Sequence, residues 1–161
     1  MRQKFIITLL LLSFNQMFSQ QFSNLSNIEM LFSKSKVQID SIIKNNNYKL
    51  KSKDLKNGSI TYENLSQPNT YAEFKFYVTV IYNKANKLKS ILWNDMIQRG
   101  SFIVQDIQNN YKIVESKTDD QLGVFYLQSI ESNLDVIIFR TEQNTSKKMM
   151  SFHLFERKIN K

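Results

Sequence analysis

From Ala72 to Tyr82 every second residue is apolar: Ala72, Phe74, Phe76, Val78, Val80 and Tyr82. The residues between them are Tyr71, Glu73, Lys75, Tyr77, Thr79 and Ile81. Successive side chains of a strand point to opposite faces, so the pattern predicts a strand over 71–82 with one face on a core. The other face meets water or a partner, which is how antiparallel sheets behave. Asn83 to Lys87 reads as a hairpin loop leading into a strand over 88–93. Further on, 122–130, 134–142 and 149–157 read as a meander, with turns near Ser132-Asn133 and Asn144-Thr145-Ser146.

One helix precedes the first series of strands and a second precedes the meander. Ser26-Asn27-Ile28-Glu29 has the spacing of a capping box, and Ile28, Leu31, Phe32, Ile39, Ile42 and Ile43 recur at helical spacing. Asn45 to Asn47 suits a left-handed helix end. A second helix from about Asn94 or Asp95 to Gln108 places Ile97, Gly100, Val104 and Ile107 on one stripe. A glycine inside a helix costs about 1 kcal/mol against alanine, so Gly100 is expected to face a sheet at close range. Both helices run into Asn residues and then a Tyr-Lys-aliphatic strand: Asn47-Tyr48-Lys49-Leu50 and Asn110-Tyr111-Lys112-Ile113. A polar turn and a second strand follow each, at 59–62 and 124–126.

The expected fold is therefore α+β, with two tandem α-β-β-β-β units over 26–93 and 94–161 and one helix packed on each antiparallel sheet. That element order resembles the β-lactamase-inhibitor-protein-like and PepSY-like architecture of exported bacterial proteins, a resemblance of order alone that transfers no site residue. A cystatin-like or nuclear-transport-factor-like cone is the main alternative, and it calls for more helix before the first strand.

Residues 1–19 read as a signal peptide. Arg2 and Lys4 form a positive n-region, Phe5 to Leu12 an apolar run, and Ser19 a small residue before the cut. The apolar run is far shorter than the roughly 20 residues that span a bilayer, so no transmembrane segment is expected in the mature chain. The expected location is exported, periplasmic or extracellular. The chain lacks Cys altogether, which excludes disulfides, thiolate metal sites and a thiol nucleophile.

Charge is unevenly spread over the 161 residues, which carry a formal net charge of +8. Residues 26–93 hold eleven Lys and five acids, whereas 94–161 hold nine basic and nine acidic residues. Lys49, Lys51 and Lys53 alternate along one strand and are expected to share a face. With Lys75 and Tyr77 they make a basic, aromatic surface. Two readings are open: the lysines blunt an edge strand, or they dock an acidic protein or anionic envelope polymer by long-range attraction. Nucleic acid is disfavoured, because Lys rather than Arg dominates and no nucleic-acid motif is present.

Catalytic signals are sparse. His153, the single imidazole, lies in a strand and its sequence neighbourhood selects no partner carboxylate, although Asp106 or Asp135 could be proposed. Asp119-Asp120 lacks the spacing of a calcium loop, and three Gly leave no phosphate-binding loop. Trp93 is expected at the joint between the halves. No enzyme, metal or cofactor is expected. The function expected is an inhibitor-like binding protein using a basic sheet face, with a small-ligand protein holding its ligand between sheet and helices as the alternative.

Overall fold

A computed structural model describes residues 24–64, 76–118, 122–141 and 149–157. The leader, the start of the 71–82 strand with Lys75, the Asp119-Asp120 pair and the 144–146 turn lie outside the described residues. Within them the chain runs α1 (Leu25–Met30), a 3-10 turn (Leu31–Ser33), α2 (Lys36–Asn45), β1 (Tyr48–Asp54), β2 (Ser59–Asn64), β3 (Tyr77–Tyr82) and β4 (Leu88–Met96). It continues through α3 (Ile97–Asn110), β5 (Tyr111–Thr118), β6 (Leu122–Ser129), β7 (Leu134–Thr141) and β8 (Met149–Glu156).

The eight strands form one antiparallel sheet in the order β1-β2-β3-β4-β8-β7-β6-β5. This corrects the expectation of two tandem units with a sheet each. β4 and β8, the last strands of the two series, pair over seven positions from Ser90–Phe155 to Met96–Met149. Two separate four-stranded sheets would each leave an open central edge, and unpaired edges are sticky; joining β4 to β8 removes both. Trp93 and Phe152 face each other across this seam with stacked rings 5.0 Å apart, and Trp93 is 3% exposed. Tyr48 and Tyr111 hold equivalent places at opposite edges of the sheet. Each begins an edge strand directly after a helix, and in each strand the register slips at the fourth residue, between Leu50 and Ser52 and between Ile113 and Glu115.

The first helix is also not continuous. Asn24 caps α1 by accepting from the Ser26 N–H at 2.8 Å, so the anticipated Ser26–Glu29 box does not form. Instead Glu29 accepts from the Tyr111 hydroxyl. Lys34 is extended, and the capping box sits one segment later: Ser35 and Gln38 bond reciprocally and start α2. Asn47 ends that segment in the left-handed region, with φ 62°.

Helix residues Ile28, Leu31, Ile39, Ile43, Ile103 and Ile107 form one buried cluster with alternate strand residues, among them Tyr62, Val78, Val80, Phe152 and Val136. This defines the inner face of the sheet. Gly100 abuts it as anticipated: a Cβ there would lie 3.3 Å from Phe152 Cζ and from Met150 Sδ.

Candidate binding faces

Among the described residues all helices cover the inner face, so the outer face is read from the other half of each alternation. Register aligns a row across it: Thr61, Thr79, Leu92, His153, Ile137, Tyr126 and Glu115. A flanking row holds Ile81, Ser90, Phe155, Asp135 and Gln128. On the other side lie Tyr77, Asn94, Ser151, Phe139 and Val124.

The five residues singled out from sequence do not form one group. Lys49 stands opposite Glu63, an opposite-charge pair across β1 and β2. Lys51 occupies the bulge of β1 and reaches over β2, placing Nζ 4.1 Å from the centroid of the Tyr77 ring. Tyr77 is fixed from the far side, its backbone N–H donating to Asn94 Oδ1 at 2.6 Å. Lys53 parts from them. An inserted bulge residue reverses the alternation beyond it, so Lys53 pairs with inner-face Ile60 and sits close enough to Asp40 on α2 to favour that carboxylate electrostatically. The expectation that Lys49, Lys51 and Lys53 share a face is therefore corrected by the bulge. Lys75 lies outside the described residues.

Three depressions mark the outer face. One of about 450 Å³ is lined by Ile81, Lys89, Tyr126, His153, Phe155 and Arg157 among others. A second, of about 420 Å³, shares Tyr126 and Phe155 and adds Val124 and Ile137. The third, about 240 Å³, lies between Tyr77, Leu92 and Phe139. The apolar band was missed in the sequence. Its signal was the failure of alternation in Val136-Ile137-Ile138-Phe139 and Phe152-His153-Leu154-Phe155, where both faces are apolar or aromatic.

His153 and Asp135 do come together in the first depression, but not as an acid–base pair. Asp135 Oδ1 accepts two bonds from Arg157 and Oδ2 accepts from Tyr126 at 2.6 Å, so both oxygens are occupied. His153 Nε2 is buried without a hydrogen-bond partner, and burial, aided by the Lys89 charge, pulls its pKa below the ordinary imidazole value. Among the described residues no cluster of three or more His, Cys, Asp or Glu is placed to hold a metal ion.

The inner face has its own polar contacts, and these are structural. Tyr62 donates to Asp40 Oδ1 at 2.8 Å, and Asp40 pairs with Lys44 at 2.7 Å. Burial pushes the Asp40 carboxyl up, but the bonds from Lys44 and Tyr62 outweigh it and leave the carboxyl below its usual value. Burial raises the Tyr82 phenol to about 12. No helix among the described residues is long and apolar enough to cross a membrane. Comparison with family models, with curated proteins and with solved structures finds no match to this chain.

Proposed function

We propose that this protein is exported and acts by binding rather than catalysis, docking an acidic protein on the sheet face opposite the described helices. The observation that carries the reading is the one-sided placement of the helices. They bury the inner face, while Leu92, Ile137, Phe139, Phe155 and Tyr126 form a half-buried band across the four central and near-central strands of the outer one. Aromatic side chains set in shallow depressions are the groups that concentrate binding energy at interfaces. Lys51 and Tyr77 stand at the margin of that band. The excess of eleven Lys over five acids in residues 26–93 speeds encounter with a negative partner, an effect screened over about 8–10 Å at physiological salt. A ligand held between sheet and helices has less support, because that interior is filled by Ile28, Ile39, Ile43, Trp93, Ile103 and Phe152, each 3% exposed or less.

The test is a photo-crosslinking residue placed at Leu92 or Phe139, with Phe102 on the exposed side of α3 as control. An acidic protein should be captured from the two sheet positions and not from α3, with lower yield at high salt and in Lys51→Glu. Equal yields from all three positions would overturn the docking face.

A further inference from the structure

The surplus charge of the first strand series gathers at one end of the sheet, bordering the outer-face band at Ile81 and Lys89. There the β1–β2 turn and the β3–β4 turn flank a depression of about 620 Å³, beside the start of α2. Five lysines line it: Lys36, Lys53, Lys56, Lys84 and Lys89. The single acid in the lining is Asp54, and the turn itself occupies it. Asp54 Oδ1 accepts from the Lys56 and Asn57 N–H groups at 3.0 and 3.2 Å, and Oδ2 from Asn57 Nδ2 at 2.6 Å. Among the described residues none of the five lysines is ion-paired to a carboxylate.

The depression is held in shape. Gly58, with φ 67°, lets Tyr82 O approach to 2.6 Å of where a Cβ would stand, and its own carbonyl accepts from Tyr82 N at 2.9 Å. That contact ties the two hairpins at their tips. Lys36 crosses from α2 to the second hairpin, with Nζ 4.9 Å from the Tyr82 ring centroid and 3.4 Å from Asn86 Oδ1. Five like charges around one concavity repel each other, so the arrangement calls for a multivalent anion.

We infer that this depression binds a compact ligand bearing two or more phosphate groups. The absence of Arg from the lining disfavours planar carboxylates, which Arg forks recognise best, whereas lysines act as point charges on phosphate oxygens. A nucleic-acid strand needs exposed rings on which bases stack, and the aromatic here, Tyr82, is 5% exposed. The volume falls in the range of small-molecule sites and suits a phosphorylated sugar or cyclitol headgroup. That chemistry comes either from a soluble phosphate ester or from a lipid headgroup.

Calorimetric titration of the full chain with pyrophosphate and with inositol hexakisphosphate tests the site, and phosphatidylcholine vesicles containing cardiolipin test the lipid source. Saturable one-to-one binding of a soluble probe is expected. It should weaken about tenfold or more in Lys53→Gln/Lys84→Gln and stay unchanged in Lys112→Gln/Lys117→Gln, which loses the same charge at the opposite edge of the sheet. Circular dichroism of both variants checks that they fold. Vesicle binding that depends on Lys53 and Lys84 assigns the lipid source; soluble binding alone assigns the free ester. Equal weakening in both double variants, or no binding of any probe, overturns the site. Because the outer face is intact in Lys53→Gln/Lys84→Gln, failure here leaves the docking proposal standing and distinguishable.

Discussion

Asp135 and Arg157 are joined at two points: Nε and Nη2 of the guanidinium donate to Asp135 Oδ1 at 2.9 and 2.7 Å. The partners differ in their access to water, since the Arg157 side chain is 33% exposed and that of Asp135 is fully buried. Arg157 also donates to the Ser129 carbonyl, tying the end of β8 to β6. The pair should therefore respond unequally to its two single substitutions. Asp135→Asn leaves a cation that can turn toward solvent and should cost about 2 kcal/mol. Arg157→Met strands a buried carboxylate with Tyr126 alone and should cost about 3–5 kcal/mol. Urea denaturation of both variants reads the difference, and equal costs would contradict it.

His153 makes stability depend on pH. Burial, and then the neighbouring Lys89, hold its folded pKa below the 6.5 of the free side chain, with Asp135, Glu156 and Arg157 as the other charged groups of that depression. Above 6.5 both folded and unfolded chains carry the neutral ring. As pH falls through 6.5 the unfolded chain takes up the proton first, so stability declines until the folded pKa is reached. His153→Gln should remove that decline. The measurement is the difference in urea midpoint between the two proteins from pH 7.5 to 5, which should narrow or reverse in favour of the variant on acidification.

Gly58 and Gly100 should answer alanine substitution differently. At Gly58 the added Cβ meets the backbone oxygen of Tyr82 at 2.6 Å in a left-handed conformation, and backbone cannot step aside. A loss of about 1–3 kcal/mol is expected. At Gly100 the neighbours, at 3.3 Å, are the far ends of Met150 and Phe152. Their adjustment opposes a helix-propensity gain of about 1 kcal/mol, so the thermal midpoint should barely move.

Trp93 is the only tryptophan, and it lies on the β4–β8 seam against Phe152. Its fluorescence should be that of a buried indole and should redden in the same transition that abolishes sheet circular dichroism, because one sheet crosses the seam. Two separate transitions would show that the halves unfold independently. Trp93→Ala should cost about 3–5 kcal/mol through the cavity it leaves.

Much of the strand content could be read locally. The alternation ending at Tyr82, the hairpin loop after Asn83, the meander from 122 and the inward Gly100 all depend on residues close in sequence, and each is found where it is described. The break at Lys34 was hidden because Ile28 to Ile43 keeps its apolar spacing through the break, and the caps that start the two segments are Asn24 and Ser35. The sequence named Lys51 and Tyr77 at the margin of the outer band and Lys53 in the lysine depression, but missed their neighbours there. The lysines of the depression lie on α2, β1, two turns and β4, and only folding brings them together.

What the chain alone determined is which residues of β3 alternate inward and that positive charge collects in its first half, because alternation and composition are local properties. Which strands become neighbours was decided only by the tertiary structure. The β4–β8 pairing joins segments more than fifty residues apart, and no local preference encodes it. Nor does period two foresee a bulge, where a single inserted residue at Lys51 turns Lys53 from the outer face to the inner one.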